Sequence, residues 1–291
     1  MNSLSQRRRR PGPAWLAAGA FLSAVAIWAI LEAVAQAPTG GLPQTSVPKA
    51  VATPISAATP TPTMAPGSAT VVAIGDSVTA AEVCGCTGFV KSYAAHLPTA
   101  AGGPAHAVNL GADGLTAAGL RTLITGPGAT ATAVAEGDVL LVTIGANDLT
   151  PLLSRWQTAG CSAACYSPAV DTVGSNVSAI LAAAKALRGD RSTRILVTDY
   201  WNVFSDGDVA RVSDGPAYLR WSDELTRALN NRICTAAQNA GATCVDLYAP
   251  FKGDGSLNPT GWLAADGDHP NAAGNQLISS ALLTATSLPG G

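Results

Sequence analysis

Three short motifs, far apart in the chain, carry residue types that can act together as a nucleophile, its base and donors to a developing negative charge. Gly75-Asp76-Ser77 follows the β-rich run Thr70–Ile74 (TVVAI). Gly145-Ala146-Asn147-Asp148 follows Val139–Ile144 (VLLVTI), and Asp266-Gly267-Asp268-His269-Pro270-Asn271 precedes the closing helical stretch. A serine hydroxyl is a weak nucleophile until a base takes its proton, and the base needs a third group to fix its tautomer. Of the 3 histidines, His96, His106 and His269, only His269 has a carboxylate three residues before it, with Pro270 stiffening the turn behind it. Asp266 and His269 therefore offer orienter and base from one loop. Asn147 and nearby backbone N–H groups offer donors to the oxyanion of a tetrahedral intermediate.

Each fragment alone is common. A bare G-D-S is often a turn, an N-D pair after a strand is more often a helix cap, and D-x-x-H is usually a surface loop. Their order, their wide spacing and their placement after strands argue for one site. Asp268 also adjoins His269, but neighbours point in different directions, whereas a three-residue offset can turn back on itself, which favours Asp266. Asp76 and Asp148 are read as carboxylates that bind loop backbone. No G-x-S-x-G is present, so a nucleophile elbow of the α/β-hydrolase kind is not expected.

These motifs need a scaffold that brings strand ends together. Five short runs read as buried strands: Thr70–Ile74, Ala107–Leu110, Val139–Ile144, Arg194–Asp199 and Ala242–Leu247. Helical stretches alternate with them at about 88–97, 115–125, 170–188, 217–240 and 271–286. The best of these is Tyr218–Asn239, with Leu219, Leu225, Leu229 and Ile233 at helical spacing and Gly241 where a left-handed cap is wanted. The alternation predicts an α/β fold, a three-layer α/β/α sandwich on a central parallel sheet of about five strands. In such sheets, sites gather at the carboxyl ends of the strands.

With its motifs in that order, the chain resembles the SGNH, or GDSL, hydrolase family over about residues 70–287. The resemblance implies a flavodoxin-like arrangement and ester hydrolysis through an acyl-enzyme. By that resemblance Ser77 is the nucleophile, His269 the base and then acid, Asp266 its orienter, and Asn147 a side-chain oxyanion donor. The family glycine stands five residues after an asparagine. In Asn109-Leu110-Gly111-Ala112-Asp113-Gly114 it falls at Gly114, with Gly111 as the fallback. The cysteine pairs and the N-terminus look similar to secreted actinobacterial lipase- and esterase-like members.

Composition sets the remaining bounds. With 17 basic and 19 acidic residues the formal net charge is -2, and no basic patch runs through residues 70–288, so nucleic acid is not an expected partner. No metal, nucleotide or flavin motif is present, and no cofactor is expected. Arg7–Arg10 precede the uncharged apolar run Ala14–Leu31, and Ala33-Val34-Ala35 offers a cleavage site. Residues 1–35 thus read as a signal peptide or an N-terminal membrane anchor, with residues 14–31 as the possible tether and the rest of the chain outside. Residues 36–69, rich in Pro, Thr, Ala and Ser, read as a disordered linker. Residues 70–288 remain as the hydrolase domain, expected to be monomeric.

The 6 cysteines fall into three close couples, which an oxidising compartment would join as disulfides. Local pairing is favoured for Cys161 with Cys165 and Cys234 with Cys244. A Cys84–Cys86 ring is so small that a cross-link to the Cys161/Cys165 segment stays open. The substrate is less legible. Loops at Thr150–Pro168, carrying Leu152, Leu153, Trp156 and Tyr166, and at Tyr200–Pro216, carrying Trp201 and Phe204, can wall an acyl pocket or simply pack as aromatics under loops. No segment long enough for a lipase lid is apparent. Short- to medium-chain acyl esters or lipids are the expected substrates. Acetyl esters of envelope polysaccharide are the first rival, and a catalytically silent envelope-binding protein is the rival from another class.

Overall fold

The computed structural model describes residues 68–99 and 102–287. The expected signal or anchor at 1–35 and all but the end of the 36–69 linker lie outside these residues. Among the described residues no helix is long and apolar enough to cross a membrane.

Five strands form one parallel sheet: β1 (Thr70–Gly75), β2 (His106–Gly111), β3 (Val139–Thr143), β4 (Arg194–Thr198) and β5 (Thr243–Val245), in the spatial order β2-β1-β3-β4-β5. The central strands are apolar on both faces because helices cover both. Val71 to Ile74 are wholly buried, as are Leu140 and Val142. Ten helices complete the described chain: α1 (Ser77–Ala80), α2 (Phe89–His96), α3 (Ala117–Thr125), α4 (Ala129–Glu136), α5 (Thr150–Ala159), α6 (Ala163–Arg188), α7 (Gly207–Ser213), α8 (Gly215–Asn239), α9 (Tyr248–Lys252) and α10 (Ala272–Ser287). Helices α3, α4 and α8 pack on α6, while α2 packs on α10, giving the outer layers of a three-layer sandwich.

Register matters most for function. Gly75 at the end of β1 pairs with Gly111 at the end of β2 and with Thr143 at the end of β3. Across β3 and β4 the Thr143 and Thr198 hydroxyls meet at 2.8 Å. Four strands therefore end level, and the segments that follow them start from one edge. The end of α8 behaves as its sequence predicts. Gly241 has φ +62°. Its N–H donates to the Gln238 carbonyl at 2.8 Å, and that of Ala242 to the Ala237 carbonyl at 2.8 Å, a Schellman closure.

Two segments read as loops are largely helical. Thr150–Pro168 contains α5 and the first turns of α6, which starts at Ala163 rather than near 170, with Pro168 still in its second turn. Tyr200–Pro216 contains α7 and the first residues of α8. Proline at the start of a helix costs no hydrogen bond, since the first N–H groups lack an internal acceptor. Pro151 and Pro216 at these helix starts therefore mark beginnings that can be mistaken for loops. The cysteines pair as Cys84–Cys86, Cys161–Cys165 and Cys234–Cys244, so the small C-x-C ring forms and no cross-link reaches the Cys161/Cys165 segment.

Candidate active site

Ser77 is the first residue of α1, two residues beyond the β1 edge. The chain must turn from strand to helix within Gly75-Asp76, and Gly75 permits it: its φ is +153°, and a Cβ there would stand 2.1 Å from the Thr143 carbonyl oxygen. Asp76 caps the helix, its carboxylate accepting the Val78 N–H at 3.1 Å. That carboxyl is buried and its other oxygen accepts the Tyr200 hydroxyl. Burial pushes Asp76 up to about 7, against the opposing pull of the Tyr200 and Val78 bonds.

His269 reaches Ser77 from the other end of the chain. Its Nε2 lies 2.9 Å from Ser77 Oγ, and its Nδ1 lies 2.7 Å from Asp266 Oδ2. With Nδ1 protonated, His269 donates to the carboxylate and leaves Nε2 to accept from the serine hydroxyl. The other Asp266 oxygen accepts the N–H groups of Asp268 at 3.0 Å and His269 at 3.1 Å, so both its oxygens are committed to this loop. Burial alone would raise the Asp266 carboxyl, but the Asp268 N–H and the His269 ring and N–H outweigh it and hold the group below its usual range. The loop is anchored from outside as well. The Asp206 N–H donates to the Gly267 carbonyl at 2.7 Å, and the Asp206 carboxylate accepts the buried Lys252 ammonium at 2.7 Å and the Asn202 amide at 2.9 Å.

Asn147 opens a short 3₁₀ turn after β3. Its amide donates one hydrogen to the Leu115 carbonyl at 3.0 Å, and the second hydrogen of that nitrogen remains for another acceptor. Next to it the Asp148 carboxylate accepts the Ala117 N–H at 2.8 Å, capping α3, and burial raises its pKa. Asn147 and Asp148 together hold the chain at Leu115 and Ala117, where α3 begins. Gly114 immediately precedes Leu115, exposed, with φ +70°. Gly111 pairs in the sheet, and a Cβ on it would meet the Ala80 backbone nitrogen at 2.4 Å, so it serves the packing of β2 on α1.

Ser77, Asn147, Asp266 and His269 line one cavity of about 360 Å³, and neither Gly114 nor Gly111 is among its lining residues. Of the side chains suggested as acyl-pocket walls, Leu153, Trp201 and Phe204 line it. Leu152, Trp156 and Tyr166 do not; Leu152 and Tyr166 are buried, and Trp156 stacks on Trp221 with ring centres 5.1 Å apart. Sequence reasoning missed Tyr200, Asn202, Ser205 and Tyr218 as cavity residues. Tyr200 and Asn202 had a usable signal, since both directly follow strand β4. Tyr218 sits inside the best helix and gave none. Among the described residues no group of three or more His, Cys, Asp or Glu is placed to hold a metal ion.

The GDSL-like lipase/acylhydrolase family matches residues 73–277, and the chain belongs to that family. Among solved structures it is similar to a lipase from a goat rumen metagenome, at 19% identity and TM-score 0.61 over 75% of this chain and 97% of that one. It is also similar to a catalytic mutant of an acetylxylan esterase from Geobacillus stearothermophilus, at 18% identity and TM-score 0.53 over 77% of this chain and 96% of that one. No curated protein matches the sequence. Membership of that family makes the protein a carboxylic ester hydrolase.

Proposed function

We propose that the protein cleaves short- to medium-chain acyl esters by a two-step serine mechanism at Ser77. Ser77 Oγ attacks the ester carbonyl carbon as its proton passes to His269 Nε2. The oxyanion is held by the Ser77 N–H and the free amide hydrogen of Asn147, with the Gly114 N–H, outside the cavity lining, as the third donor that the family resemblance implies. Collapse breaks the acyl–oxygen bond, and the departing alkoxide takes the proton from His269. Water, deprotonated by the same nitrogen, then attacks the acyl-enzyme and releases the carboxylic acid, returning the proton to Ser77. Asp266 keeps Nδ1 protonated and stabilises the imidazolium formed in each step.

The observation that carries this reading is the unbroken chain Ser77 Oγ to His269 Nε2 at 2.9 Å and His269 Nδ1 to Asp266 Oδ2 at 2.7 Å. The three disulfides support an extracellular location. We extend it to export by residues 1–35, a spacer at 36–69, and a monomeric hydrolase domain from 70 to 288. The test is a panel of p-nitrophenyl acetate, longer acyl esters and acetylated xylan, with Ser77→Ala as control. Loss of all turnover in that variant, with its thermal transition nearly unchanged, is the expected result. Activity retained by Ser77→Ala would remove Ser77 from its role. Activity confined to the acetylated polysaccharide would favour a deacetylase, the substrate class named for the Geobacillus relative.

A further inference from the structure

One carboxylate in the cavity differs from the other acidic groups near it. Asp76 accepts from Tyr200 and Val78, Asp206 from Lys252, Asn202 and Gly207, and Asp266 from His269 and two backbone N–H groups. Asp268, beside His269, lines the same cavity and is partly buried, yet among the described residues no group donates a hydrogen bond to its carboxylate or pairs with it as an ion. Burial raises its pKa, with the neighbouring charge of Asp266 acting in the same direction and that of His269 against it. A carboxylate partly withdrawn from water without a donor costs free energy, and such groups in native proteins ordinarily meet a partner.

The position of Asp268 says which part of a substrate would supply that partner. In the proposed mechanism His269 protonates the departing alkoxide, so the alcohol portion must lie on the His269 side of the scissile bond. Further polar groups line the same cavity: the Tyr218 and Ser205 hydroxyls meet at 3.1 Å. Leu153, Val203 and Phe204 provide apolar wall for an acyl chain. Among the described residues no Lys or Arg lines the cavity, so an anionic alcohol meets no fixed cation there.

We infer that Asp268 is a specificity determinant that accepts a hydrogen bond from a free hydroxyl adjacent to the esterified oxygen, selecting acyl esters of polyols over those of plain alcohols. This rests on the proposed ester-hydrolase reading of the same site. The chemistry is shared by glycerol and sugar esters.

Glycerol 1-monoacetate and propyl acetate form a matched pair, with the same carbon skeleton and differing only in two hydroxyls. The full-length protein is expected to favour the glycerol ester in kcat/KM, largely through KM. Asp268→Asn and Asp268→Ala should each cut that preference ratio about tenfold, the scale of a hydrogen bond to a charged group. A ratio unchanged in both variants would overturn the inference, whether the two rates fall together, as they would if Asp268 acted through His269, or not at all. Labelling of Ser77 by a fluorophosphonate, run in parallel, separates the two readings. If the probe reacts and the ratio stays constant, only the inference falls. If wild type neither labels nor cleaves either ester, the esterase reading falls and takes the inference with it.

Discussion

Replacing Asp266 by Asn keeps the shape of the loop while changing the proton pattern of the site. The Asp266 Oδ1 atom accepts the Asp268 and His269 N–H groups at 3.0 and 3.1 Å, and these two bonds hold the amide oxygen of an Asn in place. Its nitrogen then occupies the Oδ2 position, 2.7 Å from His269 Nδ1. Two donors cannot face each other, so the ring must carry its proton on Nε2, and Ser77 loses its acceptor. In the Ser-His-Asp template this wrong-tautomer substitution lowers kcat about 10⁴-fold, which corresponds to about 5 kcal/mol of barrier. The same order of loss is expected for Asp266→Asn on p-nitrophenyl acetate, with KM little altered. The rate of fluorophosphonate labelling should fall with it, because that reaction also needs the serine proton removed. A loss below tenfold in both assays would refute the reasoning. So would an equal loss from Asp268→Asn on p-nitrophenyl acetate, since that would place the orienting charge one residue before the histidine.

Other consequences follow from the same geometry. Asn147→Ala should lower kcat by about 10²–10³, the usual cost of one oxyanion donor, and a change confined to KM would give Asn147 another task. Asp76 and Asp199 are both raised by burial from the ordinary carboxyl value of 3.8 to about 7. Between those values the folded protein holds protons that the unfolded chain has released, so thermal stability should fall as pH rises from about 4 to 7, and Asp76→Asn should flatten the slope. A transition temperature that climbs over this range, with no change in slope for the variant, would contradict this. Lys252 is 5% exposed between Asp206 and Asp223, at 2.7 and 2.8 Å. Lys252→Ala leaves the buried Asp206 carboxylate without its counter-ion, while Asp223 keeps Arg227 at 2.8 Å; the cost is about 3–5 kcal/mol and on the order of 10 °C in calorimetry, and a shift under about 2 °C would show that water repairs the gap.

The sheet was legible because its strands are short runs of Val, Ile and Leu buried on both faces, a pattern with few alternatives. The four polar side chains that line the cavity at its reactive end were legible for a related reason: each lies in a motif just after a strand or in the last loop. Helices α5 and α7 were not. Helix α5 runs straight on from the 3₁₀ turn at Asn147–Leu149, its first residue pinned by the Thr150 N–H bond to the Asn147 carbonyl, a continuation with no distinct cap to read. Helix α7 has only seven residues, too few for periodicity to speak. The Asp206–Lys252 pair that holds the His269 loop joins residues 46 apart and could not be seen before the chain was folded. Neither could the empty acceptor at Asp268, since a missing partner is a property of three dimensions.

The central claim is that His269 activates Ser77, and an irreversible phosphonate probe with peptide mass mapping addresses it most directly. The account predicts one adduct per chain, on the peptide containing Ser77, formed rapidly by wild type and at least 10³-fold more slowly by His269→Ala. An adduct on a different residue, or equal labelling rates for wild type and His269→Ala, would contradict it.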